Sequence, residues 1–255
     1  SIDVLSDDQV TLSLQYSTQW DALAHVGSLF DIEGNGKPEK VYYNGYRAGT
    51  DIPDAPNGHG HDDHEGCNHG TGAKKLGVEN FAVKGMQGRG VLVDFVKHYG
   101  HGRTLIGYKE LSAVLGKDNI TIEQGDMLVL RTFAETVLEM AGEPDAETLH
   151  NAGAVLNGAD QQLLDWITNS GIVCICADNY AVEAYPALSQ GEKKSLLPLH
   201  HHCLFKLGLP LAELWYLRDL AEWLHQNGRH RFLLTAPPLR LPGAVGSPVT
   251  PIATV

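Results

Sequence analysis

Apolar and polar positions alternate over Val10, Leu12 and Leu14 against Thr11, Ser13 and Gln15, which predicts a half-buried β-strand. Shorter, mostly apolar runs recur further on. Gly90 to Phe95, Met127 to Leu130, Ile172 to Ala177 and Phe232 to Leu234 are strand candidates. Helical spacing lies between them. Leu111, Val114 and Leu115 share a face within residues 108–115, and Leu163, Leu164 and Ile167 share another. Asp160 is placed to cap this second helix and Gly171 to close it. A third helix is predicted to open at Glu213, carry Leu214, Leu217, Leu220, Ala221 and Leu224, and end at Gly228. Strands alternating with helices imply an α/β fold with some parallel pairing. No linker or internal repeat divides the chain, so residues 1–255 read as a single domain.

Residues 31–75 break this rhythm. They are rich in Gly, Asp, Asn and Pro and read as a long loop excursion with a short strand at Val41 to Tyr43. Inside it, the thirteen residues 58–70 carry four His, one Cys and three acids. Such a tract suits a metal. It equally suits a solvated loop, because its glycines leave no rigid element to fix ligand geometry.

Composition narrows the class. With 43% hydrophobic and 20% charged residues in 255, the chain is a soluble globular type with room for a core. A formal net charge of −12 argues against nucleic acid or an anionic membrane as partner and leaves a small molecule. No stretch approaches the ~20 apolar residues of a membrane span. Ser1 to Asp8 read as polar and acidic, unlike a secretory leader. Only four cysteines are present, which fits a reduced, cytoplasmic setting. Cys174 and Cys176 fall on one face of an apolar strand and read as small core residues.

Two segments hold candidate chemistry. In Thr18 to His25, Asp21 and His25 stand four residues apart just after the alternating run. A strand end opening into a polar turn fixes the backbone and exposes reacting groups. The plainer alternative is a turn anchored by Trp20 with a solvated Asp and His. The second segment is His200-His201-His202 followed by Glu213. Adjacent histidines point apart, so at most one or two serve one site. A carboxylate in a first helical turn is either a partner of the helix dipole or a ligand or acid/base. The chain has no Gly-x-Ser-x-Gly elbow, phosphate-binding loop or His-Glu-x-x-His. Gly88-Arg89-Gly90 is too short for a dinucleotide fingerprint.

Five stretches, taken in order, are similar to a known family: Thr18 to His25, Tyr43-Asn44-Gly45, Gly88 to Asp94, Gly125 to Thr132, and Pro198 to Glu213. The ending, Pro238-Leu239 through Gly246 to Ala253, adds to them. Together they resemble the cyclase family of metal-dependent hydrolases, which includes proteins like kynurenine formamidase and isatin hydrolase. The resemblance implies an α/β domain with a mixed sheet of the swivelling β/β/α type. It also implies a homodimer or homotetramer, and hydrolysis of a small amide, lactam or lactone with a divalent metal, Mn or Zn. The family's first motif reads His-x-Gly-Thr-His-x-Asp-x-Pro-x-His. Its metal-binding Asp falls on Asp21, and its last His, the acid/base, on His25. Its two metal-binding histidines fall on Gln15 and Gln19. A later His twelve residues before a Glu completes the family's site, which selects His201 with Glu213 and leaves His200, with Trp20, to the substrate pocket.

The two glutamines change the expected chemistry. Amide oxygen is a weak zinc ligand and suits harder ions. Three arrangements follow: a harder, looser metal held with Gln15 and Gln19; a site shifted onto Asp21, His201 and Glu213; or no metal. The last would leave a lyase or ring-closing enzyme using His25 and Asp21, or a non-catalytic small-molecule-binding protein.

Overall fold

Backbone hydrogen bonding decides which apolar runs become strands. The structure, a computed structural model, describes residues 2–53, 71–133, 145–187 and 195–255. Among these, the strands in chain order are β1 (Gln19–Asp21), β2 (Ser28–Phe30), β3 (Glu39–Val41), β4 (Gln87–Asp94), β5 (Thr104–Ile106), β6 (Met127–Arg131), β7 (Ala154–Leu156), β8 (Cys174–Ala177), β9 (Leu211–Glu213), β10 (Arg231–Thr235), β11 (Gly246–Pro248) and β12 (Ile252–Thr254). Eight of them form one mixed sheet in the order β11-β1-β9-β8-β6-β4-β10-β12. The four central strands are parallel, and antiparallel strands close both flanks. The mixed α/β architecture is the one the resemblance implies.

Both faces of the central strands are covered, which is why their sequences are continuously apolar. Val91, Val93, Leu128, Leu130, Ile175 and Leu211 face one core, shared with Leu111, Val114, Leu163 and Ile167 of the helices Tyr108–Lys117 and Gln161–Ser170. Leu92, Met127, Val129, Cys174, Cys176 and Ala212 face the other, with Trp20, Trp215 and Leu224 of the helix Arg218–Gln226. Cys174 and Cys176 sit fully buried with their sulfurs 3.8 Å apart. The helix Gln161–Ser170 starts and stops on its own signals. The Asp160 side chain accepts from the Gln162 and Leu163 N–H groups, and Gly171 takes a left-handed φ of 75°.

Three expectations differ from the structure. Val10 to Leu14 form no strand, and Val10 is 77% exposed, because no neighbouring strand takes up their backbone groups. Glu213 does not open a helix. It ends β9, the next residue, Leu214, turns the chain at φ 57°, and the helix begins only at Arg218. The short strand near Val41 is Glu39–Val41, with a 3₁₀ turn at Tyr43–Gly45 following it. The His-rich tract 58–70 lies outside the described residues. Among the described residues no helix is long and apolar enough to cross a membrane.

Gly90 marks a close approach inside the sheet. It pairs with Phe232 across β4 and β10, and a Cβ there would lie 2.5 Å from the Phe232 ring. Gly90→Val should therefore lower the unfolding free energy by about 1–3 kcal/mol through overpacking. An unchanged midpoint in chemical denaturation would show that the ring yields freely.

Candidate metal centre

Strand alternation sorts the first motif. Along β1, Gln19 and Asp21 point to one face of the sheet and Trp20 to the other. The antiparallel register pairs Gln19 with Glu213 of β9, so Glu213 joins the Gln19 and Asp21 face. The short helical turn Pro198–His200 brings His200 over the same face. One ligand atom from each of Asp21, His200 and Glu213 lies within 4.8 Å of the others, and all three residues are buried.

His200 Nε2 is 3.2 Å from Glu213 Oε1 and 3.9 Å from Asp21 Oδ2. The other ring nitrogen, Nδ1, is 2.9 Å from Glu183 Oε1. Gln19 Nε2 donates to Asp21 Oδ1 at 3.2 Å and to Glu213 Oε2 at 3.4 Å. Two acceptor oxygens, Gln19 Oε1 and Asp21 Oδ2, are buried with no hydrogen-bond partner among the described residues. His25 stands beside this group, with Nε2 3.9 Å from Asp21 Oδ1 and about 29% of its side chain accessible.

The electrostatics follow from burial and from these neighbours. Burial, reinforced by the charge on Asp21, raises the Glu213 carboxyl to about 7, against the pull of His200. Burial alone would lower His200, but the hydrogen bonds to Glu183 and Glu213, with the charges of Glu213 and Asp21, push it up to about 10. Burial holds His25 below the ordinary imidazole value, helped by His200 and opposed by Asp21. At neutral pH, then, His200 is an imidazolium and His25 a neutral base.

The structure places the other expected residues elsewhere. His201 lies outside the cluster: its Nε2 is 3.0 Å from Ser28 Oγ, and its ring stacks on Phe205 with centroids 5.1 Å apart. Residues His201–Leu207 form a π-helix, which takes more residues per turn than an α-helix. His200 reaches Glu213 across thirteen residues, where the family spacing of twelve selects His201. Trp20 does not line a pocket. It is fully buried on the opposite sheet face, edge-on to Trp215, with Nε1 donating to the Ala236 carbonyl at 2.7 Å. Gln15 precedes β1 in the chain. Its amide lies against Gly246, the residue paired with Asp21, and its Nε2 is buried with no hydrogen-bond partner among the described residues. Glu183 went unmarked in the sequence, because only the folded loop brings it to His200. Ser28, Leu29, Phe30, Ile32, His201 and Phe205 line an open cleft of about 720 Å³.

A family profile described as putative cyclase matches residues 2–184. A solved structure described as a novel cyclase is 31% identical, with a TM-score of 0.76 over all of this chain and 73% of that chain. An isatin hydrolase bound to the product analogue thioisatinate is 14% identical, with a TM-score of 0.60 over 96% of this chain and 73% of that one. A potential metal-dependent hydrolase with cyclase activity is 16% identical, with a TM-score of 0.51 over 96% of this chain and 81% of that one. These last two likenesses are of fold. No functionally curated protein matches the chain.

The protonation pattern sets a pH dependence. A ligand must lose its proton to bind a cation. Mn²⁺ affinity measured by calorimetry should therefore rise with pH through about 7, where Glu213 gives up its proton, and go on rising toward about 10, where His200 gives up its own, with uptake releasing protons to the buffer. Affinity that is flat across this window would mean that neither Glu213 nor His200 is a ligand.

Proposed function

The chain belongs to the putative cyclase family, and from that premise we propose that it is a metal-dependent hydrolase of a small amide, lactam or lactone. The observation that carries this reading is the buried Asp21, His200 and Glu213 cluster, in which Asp21 Oδ2 and the neighbouring Gln19 Oε1 take no hydrogen bond among the described residues. Two carboxylates and one imidazole, next to an amide oxygen, fit a divalent ion of borderline or hard character, Mn²⁺ or Zn²⁺. Asp21, His200 and Glu213 would hold it, with Gln19 alongside. What such an ion supplies when bound is Lewis acidity toward a carbonyl and toward water.

The residues of the chain do the rest. His25 is neutral, partly accessible and adjacent to the cluster, so it can take a proton from water attacking the substrate carbonyl. It then returns that proton to the leaving nitrogen or oxygen. Asp21, 3.9 Å away, stabilises the imidazolium formed in between. The cleft beside His201 and Phe205 has the volume of a small-molecule site and would receive the body of the substrate. Likeness to an isatin hydrolase that carries a product analogue supports the lactam class.

One observation favours a second reading. Gln19 Nε2 already bridges both carboxylates, and His200 pairs with Glu213, so the cluster is partly neutralised without an ion. That arrangement suits a metal-free lyase or ring-closing enzyme, or a binding protein.

Two measurements decide between these. Elemental analysis should find a divalent ion that Asp21→Ala loses; an ion-free native protein favours the second reading. On a panel of formamides, lactams and lactones, His25→Ala should cut turnover by about 10²-fold or more. Undiminished turnover would remove His25 from the mechanism.

A further inference from the structure

Glu183 is 1% exposed, and both of its carboxylate oxygens engage two consecutive residues. Oε2 accepts from the Leu199 N–H at 2.8 Å, and Oε1 accepts from the His200 N–H at 2.9 Å. The same Oε1 is 2.9 Å from His200 Nδ1. One side chain thus holds both the backbone on which His200 stands and the ring nitrogen that faces away from Asp21 and Glu213.

Glu183 is itself held from several directions. It pairs with Leu156 of β7 in a parallel bridge, and the next N–H, from Ala184, donates to the Leu156 carbonyl at 2.9 Å. Val182, just before it, adopts φ 56°, a left-handed conformation unfavourable for a β-branched residue. The Asn179 side chain stabilises that turn by accepting from the Val182 N–H at 2.8 Å. Gly158 leaves room for the contact: a Cβ there would collide with the Glu183 carboxylate and lie 2.7 Å from Leu199 N. Strain, a missing side chain and three short contacts converge on the placement of one carboxylate.

We infer that Glu183 is a positioning residue that orients the His200 ring through its contact with Nδ1, so that Nε2 is the nitrogen turned to Asp21 and Glu213. A carboxylate behind a ligating imidazole is the arrangement that fixes a metal-binding histidine and raises its basicity. The consequence for metal affinity rests on the proposed metal-dependent reading. The ring orientation does not.

The test uses the full-length protein and the near-isosteric Glu183→Gln. Glu183→Asp, which keeps the charge but draws it back, serves as a second variant if the first does not fold. In ion-free protein, the Nδ1 proton of His200 should give an NMR resonance protected from solvent exchange, identified by its loss in His200→Gln. Exchange should speed up in the Glu183 variant, and Mn²⁺ affinity should fall about 10–100-fold. A purely structural Glu183 would lower the melting temperature and leave the ring proton as it was. Unchanged ring-proton exchange in a folded variant overturns the inference. If the native protein takes up no Mn²⁺, the metal reading fails by itself, and ring-proton exchange alone decides the role of Glu183.

Discussion

Asp21 and Glu213 are buried side by side on neighbouring antiparallel strands, and that juxtaposition constrains the rest of the site. Two buried carboxylates repel each other and lose their hydration, a combination that proteins tolerate only with a compensating positive group. Here the compensation comes from above and from the side. His200 descends on a short helical turn to face both acids, and Gln19, on the strand of Asp21, donates its amide to each. The compensation is incomplete. Asp21 Oδ2 and Gln19 Oε1 take no hydrogen bond among the described residues, and burial raises the Glu213 carboxyl to about 7. This residual negative potential is what supports the proposed divalent cation.

The glutamines at family histidine positions fit this electrostatic picture. Gln19 keeps its place against the carboxylates, because β1 pairs it with Glu213 whatever its side chain. It exchanges an imidazole for an amide that presents a donor at one end and an acceptor at the other. Gln15 precedes β1 and lays its amide against Gly246, the strand partner of Asp21. Among the described residues His200 is the imidazole that faces both acids, and Glu183 stands behind it.

Much of the architecture was legible in the sequence because it depends on local signals. The central strands read as apolar runs since both faces are covered, and Asp160 and Gly171 bound their helix with side-chain and backbone chemistry of their own. What was not legible depends on partners distant in sequence. Val10 to Leu14 alternate as a strand would, yet no edge receives them. The apolar spacing after Glu213 looked helical five residues early, because Leu214 adopts a positive φ that the pattern does not encode. At the site, Asp21 and His25 were readable from one motif, whereas choosing His200 over His201 required the folded positions of the two rings, one against Glu213 and the other against Ser28. Trp20 seemed a pocket residue until strand alternation turned it to the other face. Glu183 carries no motif at all, and its part emerges only from three contacts made across the fold.

The central claim is that Asp21, His200 and Glu213 together hold a divalent cation. Anomalous X-ray scattering from crystals grown with Mn²⁺ tests it most directly. The account predicts one strong anomalous peak bounded by the Asp21 and Glu213 carboxylates and His200 Nε2. A fully soaked crystal with no peak there, or with the ion held only elsewhere, would contradict it.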